Sequence, residues 1–318
     1  MANISVTQSD TRVVPLKEKS HKAESLLRLA LRRFLRHRAA VIGSIMLLAI
    51  ILYVTVGTLF VSEATANRTN IMGKYAAPSA DHWFGTDEVG RDVFARTIYG
   101  GQISLMIAVA AMLISISLGT LVGLVSGYFG GLIDSVLMRI VEALLAIPAL
   151  VLLLLLSRPL AGNTTEVVFL GRQLSATVLV IVIIIGLTSW MRLSRIIRAQ
   201  VLSLKEQEFV QAARLVGASD VRIIFGHILP NCIAPIVVAA TLEVGAAIIT
   251  EAYLSFLGFG VMPPTATWGN ILTRSRDVLN QYPWMWITPG VLIVMTTLAI
   301  NFIGDGLRDA LDPRMKNI

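Results

Sequence analysis

The sequence predicts an all-α polytopic membrane protein with six transmembrane helices, and three observations carry that prediction. The mean hydropathy is +0.73, and 55% of the 318 residues are hydrophobic against 15% charged, where soluble domains carry roughly 25% charged residues. Six mostly apolar runs lie at about 39–60, 103–127, 137–157, 174–191, 233–257 and 285–303, each near the ~20 residues that span a hydrocarbon core of about 30 Å. Several are apolar all round, with no polar face to turn towards water. Their length argues for helices, because barrel strands need alternation over only about ten residues.

In chain order, residues 1–38 form a polar tail and a basic amphipathic segment. Residues 1–20 are expected to be loosely held. Residues 23–38 interleave Leu and Phe with Arg at helical spacing, which predicts a helix lying on the inner membrane face or packed on a partner subunit. The first span, 39–60, resembles a signal peptide, and Ala64-Thr65-Ala66 imitates a cleavage site. A 22-residue apolar run after 38 preceding residues is too long for that, so an uncleaved anchor is expected.

The loop 61–102 holds His82-Trp83-Phe84-Gly85-Thr86-Asp87-Glu88-Val89-Gly90-Arg91-Asp92-Val93. Glycines beside acidic residues and an arginine predict a tight, internally hydrogen-bonded turn. The core of the chain is then 103–308. Its first span carries Ser115, Gly119, Gly123 and Gly127 at successive i, i+4 positions, a stripe of small residues that lets another helix approach closely. Pro148 is expected to kink the third span. Trp190, Trp284 and Trp286 fall at span ends as interfacial anchors, and Trp83 and Trp268 fall in outer loops near the surface. Residues 309–318 form a short tail.

Orientation follows from Lys and Arg. With the N-terminus inside, the inner segments hold 19 of the 27 basic residues: nine before Ala39, Arg139, six from Arg192 to Arg222 and three after Gly306. That is the positive-inside asymmetry. It places both termini in the cytoplasm and accounts for the net charge of +7 without nucleic acid, for which the sequence has no binding motif. The single cysteine, Cys232, permits no intramolecular disulfide.

The longest inner loop, 192–230, is the most informative. Lys205 to Val216 is rich in helix formers. Gly217 stands where a helix C′ residue adopts a left-handed conformation without a Cβ penalty. Ser219 or Asp220 is expected to cap a second helix, Val221 to Leu229, and Pro230 to end it. A polar helical hairpin between membrane spans is a handle for a soluble partner.

This loop resembles the signature cytoplasmic loop of ABC-importer permeases. Their consensus runs Glu-Ala-Ala, three residues, Gly, nine residues, Ile, one residue, Leu-Pro. It falls here on Gln211-Ala212-Ala213, Gly217, His227, Leu229 and Pro230. Gln211 replaces the family Glu, and His227 stands where Ile is usual, with Ile228 adjacent; this leaves open which side chain makes polar contact with the ATPase. The loop 61–102 string also resembles a hallmark of the dipeptide, oligopeptide and nickel permeases. So do Glu251-Ala-Tyr-Leu-Ser-Phe-Leu-Gly258, Pro263-Pro264, Trp268-Gly269 and the tail Gly304 to Arg314. The similarity runs from about Arg32 to the end.

The resemblance implies a type I ABC importer permease fold with a cytoplasmic coupling-helix loop. Glu208, Gln211, Ala212, Ala213, Gly217, Ala218, Leu229 and Pro230 would then be the ATPase-docking residues. It further implies alternating access, a second homologous permease subunit, two ABC ATPase subunits and an extracytoplasmic substrate-binding protein. Peptides are the expected cargo, and nickel or another small solute is the alternative within the family. The chain has no Gly-x-x-x-x-Gly-Lys-Ser/Thr phosphate loop. No cofactor is expected on it, and ATP and Mg belong to the partner ATPases.

Glu243 and Glu251 are the unusual residues of the fifth span. A carboxylate near the bilayer centre costs on the order of 2.5–3.5 kcal/mol and should face protein or water. Eight residues apart, the two fall within about 80° on a helix. Either they line the translocation path or they hydrogen-bond a neighbouring helix, the second reading being stronger for Glu251. If Glu243 were an ion site, the chain could instead be a stand-alone ion-coupled transporter. A membrane enzyme has less support: His21, His37, His82 and His227 lack metal-ligand spacing, and hydrolase motifs are absent.

Overall fold

The structure, a computed structural model, describes residues 26–157, 166–169 and 172–312. The polar segment 1–20, the first residues of the amphipathic segment and the end of the tail from Pro313 lie outside the described residues. Among the described residues, five helical stretches are long and apolar enough to cross a membrane: Arg38–Leu59, Val93–Phe129, Thr177–Leu204, Asp220–Phe256 and Trp284–Leu311. A sixth candidate is a bent pair of helices, Gly131–Ala146 and Ala149–Ser157, meeting at 87°.

The chain begins with α1 (Leu26–Arg36) and α2 (Arg38–Val56), joined at His37, whose Nδ1 accepts the Ala40 N–H at 3.1 Å and caps α2. A short α3 (Glu63–Asn67) lies in the following loop. α4 (Val93–Phe129) starts ten residues before the apolar run begins at 103. Asp92 caps it, accepting the Ala95 N–H at 2.8 Å. Its first turns contain Arg96, which breaks the apolar pattern yet is only 2% exposed; a buried ion-pairing segment extends the helix beyond what hydropathy marks.

α5 (Gly131–Ala146) and α6 (Ala149–Ser157) flank Pro148. The expected kink is a break. Proline disfavours the helical region for the residue before it, and Ile147 is extended, with φ −80° and ψ 127°. Strands β1 (Glu166–Phe169) and β2 (Arg172–Ser175) then pair antiparallel, so the fourth span starts at Thr177 and not at 174. That helix, α7 (Thr177–Leu204), also runs well past 191, which puts Trp190 mid-helix and not at a span end.

α8 (Glu208–Leu215) and α9 (Asp220–Ile223) form the inner loop. A π-helical turn, Ile224–Ile228, leads from α9 into α10 (Leu229–Phe256). Pro230 therefore does not end a helix. It sits in the first turn of α10, where a missing N–H is tolerated, and the preceding π turn lets the Leu229 N–H reach back to the Ile224 carbonyl. α11 (Trp268–Ser275) and α12 (Trp284–Leu311) complete the chain.

Helix direction settles the crossing count. On the α4 stripe, Gly119 faces Trp190 and Leu193, Gly123 faces Ser194 and Ile197, and Gly127 faces Arg198 and Val201. The numbers rise together, so α4 and α7 are parallel. Parallel neighbours require a return crossing between them, and only the segment containing α5 and α6 supplies one. The bent pair is thus the third of six spans.

Two cores hold the bundle. One joins α4, α7 and α10 in the halves remote from α8 and α9, around Ile107, Ile181, Ile185, Ile248 and Trp268. Trp268 is fully buried, against expectation: its Nε1–H donates to the Thr97 carbonyl at 2.9 Å and its backbone N–H to Ser104 Oγ at 3.1 Å. The second core lies at the end that carries α8 and α9, where Leu124, Tyr128, Ile197 and Val201 meet Val210, Ile223, Ile228 and Cys232. Much of the remaining bundle surface is apolar, as at Ile45, Leu113 and Val294, which suits lipid or a partner subunit.

Candidate docking elbow and intramembrane carboxylates

The inner loop is an elbow clamped onto the ends of α4, α5 and α7. Lys205 Nζ donates to the Gly127 carbonyl at 3.1 Å and fixes the turn out of α7. α8 then lies on the inner core through Val210, fully buried, and Ala213. It ends in a Schellman cap: the Ala218 N–H bonds the Ala213 carbonyl at 3.0 Å and the Gly217 N–H bonds the Arg214 carbonyl at 2.9 Å. Gly217 has φ +82°, and a Cβ there would meet nothing within 4 Å. Glycine is required for its backbone angle and not for space. Ser219 caps α9, its hydroxyl accepting the Arg222 N–H at 3.4 Å.

Long-range polar contacts brace this elbow. The Tyr128 hydroxyl donates to Asp220 Oδ1 at 2.5 Å, and the Arg214 guanidinium lies over the Tyr128 ring, 5.2 Å from its centre. Arg198 of α7 grips Asp134 of α5 through two bonds, at 2.5 and 2.6 Å, the bidentate geometry that gives arginine–carboxylate pairs their strength. None of these partners is near the other in sequence, so local spacing carries no signal for them.

What the elbow presents outward is apolar. Leu215 is 89% exposed and Val216 85%, and Phe209, Val221 and Phe225 are exposed as well. Of the residues singled out from sequence, Glu208, Gln211, Ala212, Gly217 and Pro230 lie on the surface, whereas Ala213 is buried and Ala218 and Leu229 are half-buried. Gln211 Nε2 donates to the Glu206 carbonyl at 3.2 Å, a bond within the loop itself. The exposed leucine, valines and phenylalanines are the part of the elbow that the motif does not include.

The two carboxylates occupy different settings. Glu251 is fully buried, accepting from Ser255 Oγ at 2.8 Å and Ser104 Oγ at 3.2 Å. It ties α10 to α4, whose Ser104 also accepts the Trp268 N–H at the start of α11. Glu243 is partly exposed, with Ser189 and Arg192 of α7 nearby. Its neighbour Leu242 lines a cavity of about 680 Å³ with Gln200, Asn231 and Arg308, and Glu243 itself is not among the lining residues.

At the other end, the loop after α3 is folded as its glycines and acids suggest. Asp87 accepts the Val89 and Arg91 N–H groups at 3.0 and 2.9 Å and the Arg91 Nε–H at 2.7 Å. His82 Nδ1 and Asp92 Oδ2 are 2.7 Å apart. Glu88 pairs with Arg274 of α11, so this loop is fastened to the one between α10 and α12.

Residues 119–317 match the family described as binding-protein-dependent transport system inner membrane component. Residues 25–78 match the N-terminal TM domain of oligopeptide transport permease C. A putative peptide permease protein of Brucella suis is 46% identical over 284 residues, covering 89% of each chain. The oligopeptide transport system permease protein OppC of Bacillus subtilis is 40% identical over 297 residues, 93% of this chain and 92% of its own. Among solved structures, the MetNI methionine ABC transporter in inward-facing conformations aligns with a TM-score of 0.51 at 20% identity, over 67% of this chain and 95% of the matched one. That last likeness is one of fold.

Proposed function

The chain belongs to the binding-protein-dependent transport system inner membrane components, the permease subunits of ABC importers, and we propose that it forms half of a peptide-conducting pore worked by ATPases bound at its elbow. The peptide cargo is taken from the names of the Brucella and Bacillus relatives. The other half of the pore is a second, homologous permease; two ABC ATPases bind below, and an extracytoplasmic binding protein delivers cargo above. ATP and Mg reside on the ATPases, and the termini and the elbow face the cytoplasm.

One observation carries this reading: the elbow pairs a buried anchor with an exposed apolar tip. Exposed Phe209, Leu215, Val216, Val221 and Phe225 on one short elbow suit a surface that a protein partner covers, while Val210, Ala213 and Ile223 would transmit any push on that tip into α4 and α7. Closure of the ATPases would move the elbow, and the Arg198–Asp134 clamp would pass that movement to the bent third span. Alternating access follows from such a lever. Glu243 would line the path, because a partly exposed intramembrane carboxylate should face water or protein.

The test is thiol chemistry at the tip. Val216→Cys, with Cys232 buried, should react with impermeant reagent only from the cytoplasmic face and should cross-link to a co-purifying ATPase. Labelling from the outside, or peptide uptake by the purified chain without companion proteins, would overturn the proposal.

A further inference from the structure

The elbow leaves one polar surface of the bundle unused: a groove in the half that carries α8 and α9. On α7, Arg192, Arg195, Ile196 and Ala199 recur at the spacing of a single helical face, and all four are exposed. Ile196 lines two cavities. One, of about 610 Å³, lies against α5 at Met138 and Glu142 and takes in Arg192 and Arg195. The other is the cavity of about 680 Å³ that holds Leu242 and Arg308. They meet at Ile196, so the groove runs from α5 across α7 to α10 and α12.

α12 gives the groove a polar wall. Thr297, Asn301, Asp305 and Arg308 of that helix fall within about 80° of one another, and the last three are exposed. A Cβ at Gly245 would lie 3.6 Å from both Thr297 and Asn301, so the stripe is turned towards α10. There Glu243 lies about 20 Å along the helix from Phe256, at ~1.5 Å per residue, inside a hydrocarbon core of about 30 Å. Arg192 is near it. Charges at that depth face water or protein and not acyl chains.

The charges in the groove are unequally matched. Glu142 is paired with Arg139 at 3.4 Å, and Arg192 has Glu243 nearby. Among the described residues, Arg195 and Arg308 have neither a hydrogen bond nor an ion pair. Guanidinium groups match the geometry of a carboxylate. Unpaired arginines with acids close by suit a ligand that is carboxylate at one end and ammonium at the other. Anionic lipid would be repelled by Glu243 and Asp305.

Resting on the peptide-pore reading above, we propose that this groove is the part of the path by which cargo leaves at the elbow end, and that Arg195 and Arg308 take the C-terminal carboxylate of the peptide there. Both arginines are exposed, so each contact is weak. Weak contacts let cargo move on.

The experiment uses the assembled transporter in proteoliposomes, with one binding protein that captures both trialanine and trialanine amide. The ratio of acid to amide uptake should fall about threefold, the scale of an exposed ion pair, in Arg195→Gln and in Arg308→Gln. It should recover with Arg→Lys at the same site. The preference of the binding protein cancels, because that protein is the same throughout. An unaltered ratio, or equal loss of both substrates, would overturn the proposal, the second by showing a structural role. Arg195→Cys gives a readout independent of uptake: its modification by a charged methanethiosulfonate should be slowed by trialanine and not by the amide. A thiol shielded without peptide would mean that lipid or the second permease covers the groove, and would overturn the proposal too. If the parent assembly imports neither peptide, the pore reading itself falls; uptake with an unaltered ratio removes this inference alone.

Discussion

The Tyr128 hydroxyl donates to the Asp220 carboxylate at 2.5 Å, joining the last turn of α4 to the first turn of the helix that re-enters the bundle. With Arg214 over the same ring, one tyrosine touches both arms of the elbow. The tip proposed to transmit force would need such a brace, because α8 has only eight residues and isolated helices that short are unstable in water.

Tyr128→Phe is therefore expected to loosen the elbow without unfolding the bundle. A hydrogen bond to a charged group contributes roughly 1.5–3 kcal/mol, and exposure of Asp220 brings the expected loss to about 1 kcal/mol. Hydrogen exchange should quicken about fivefold across 208–223 while the amides of α4 and α7 keep their protection. Equal acceleration in both regions would show that Tyr128 supports the bundle and not the elbow.

Gly217 permits a graded test of the cap. At φ +82° a residue with a Cβ is expected to cost about 1–2 kcal/mol, with asparagine at the low end. Proline is worse in kind: it locks φ near −65° and removes the N–H that bonds the Arg214 carbonyl at 2.9 Å. Co-purification of the ATPase should fall in the order Gly, Asn, Ala, Pro. Similar recovery for all four would separate docking from the shape of this turn.

Sequence reading located the membrane-crossing runs because length and apolarity are local properties, and it found Gly217 because a helix stop is local too. Helix ends were harder. The start of α4 contains Arg96, whose burial depends on Asp87 and Asn67 folded over it, so hydropathy misses ten residues of helix. Trp268 has the composition of an interfacial residue and is buried only because Thr97 and Ser104 receive its N–H groups. Pro230 has the same letters whether it ends a helix or opens one, and the π turn before it decides. Tyr128 and Asp220 are 92 residues apart, and no spacing rule links them.

The α4–α7 seam should resist any side chain. A Cβ at position 123 would lie 2.7 Å from the Ile197 Cβ and 2.7 Å from the Ser194 carbonyl oxygen. The second contact is with backbone, so trimming Ile197 would not relieve it. Gly123→Leu is expected to cost at least the 1–3 kcal/mol typical of overpacking, seen as a lower midpoint of thermal unfolding in detergent. Gly123→Leu with Ile197→Ala should be no better. Recovery in that double variant would mean the helices contact through side chains alone.

Glu243 and Glu251, two turns apart on α10, should respond oppositely to the loss of a carboxylate. Glu251→Leu leaves the Ser104 and Ser255 hydroxyls buried without their acceptor, at about 1–3 kcal/mol for an unsatisfied buried group, so thermal stability should drop. Glu251→Gln keeps an acceptor oxygen and should restore most of it. Glu243 is partly exposed, so Glu243→Gln should leave the unfolding midpoint within about 0.5 kcal/mol of the parent, as surface changes do. Its effect should fall on transport rate in reconstituted vesicles, with ATPase association unchanged. If Glu243→Gln instead lowered stability and spared transport, its neighbourhood with α7 would be its whole role, and the path would have to run along another face.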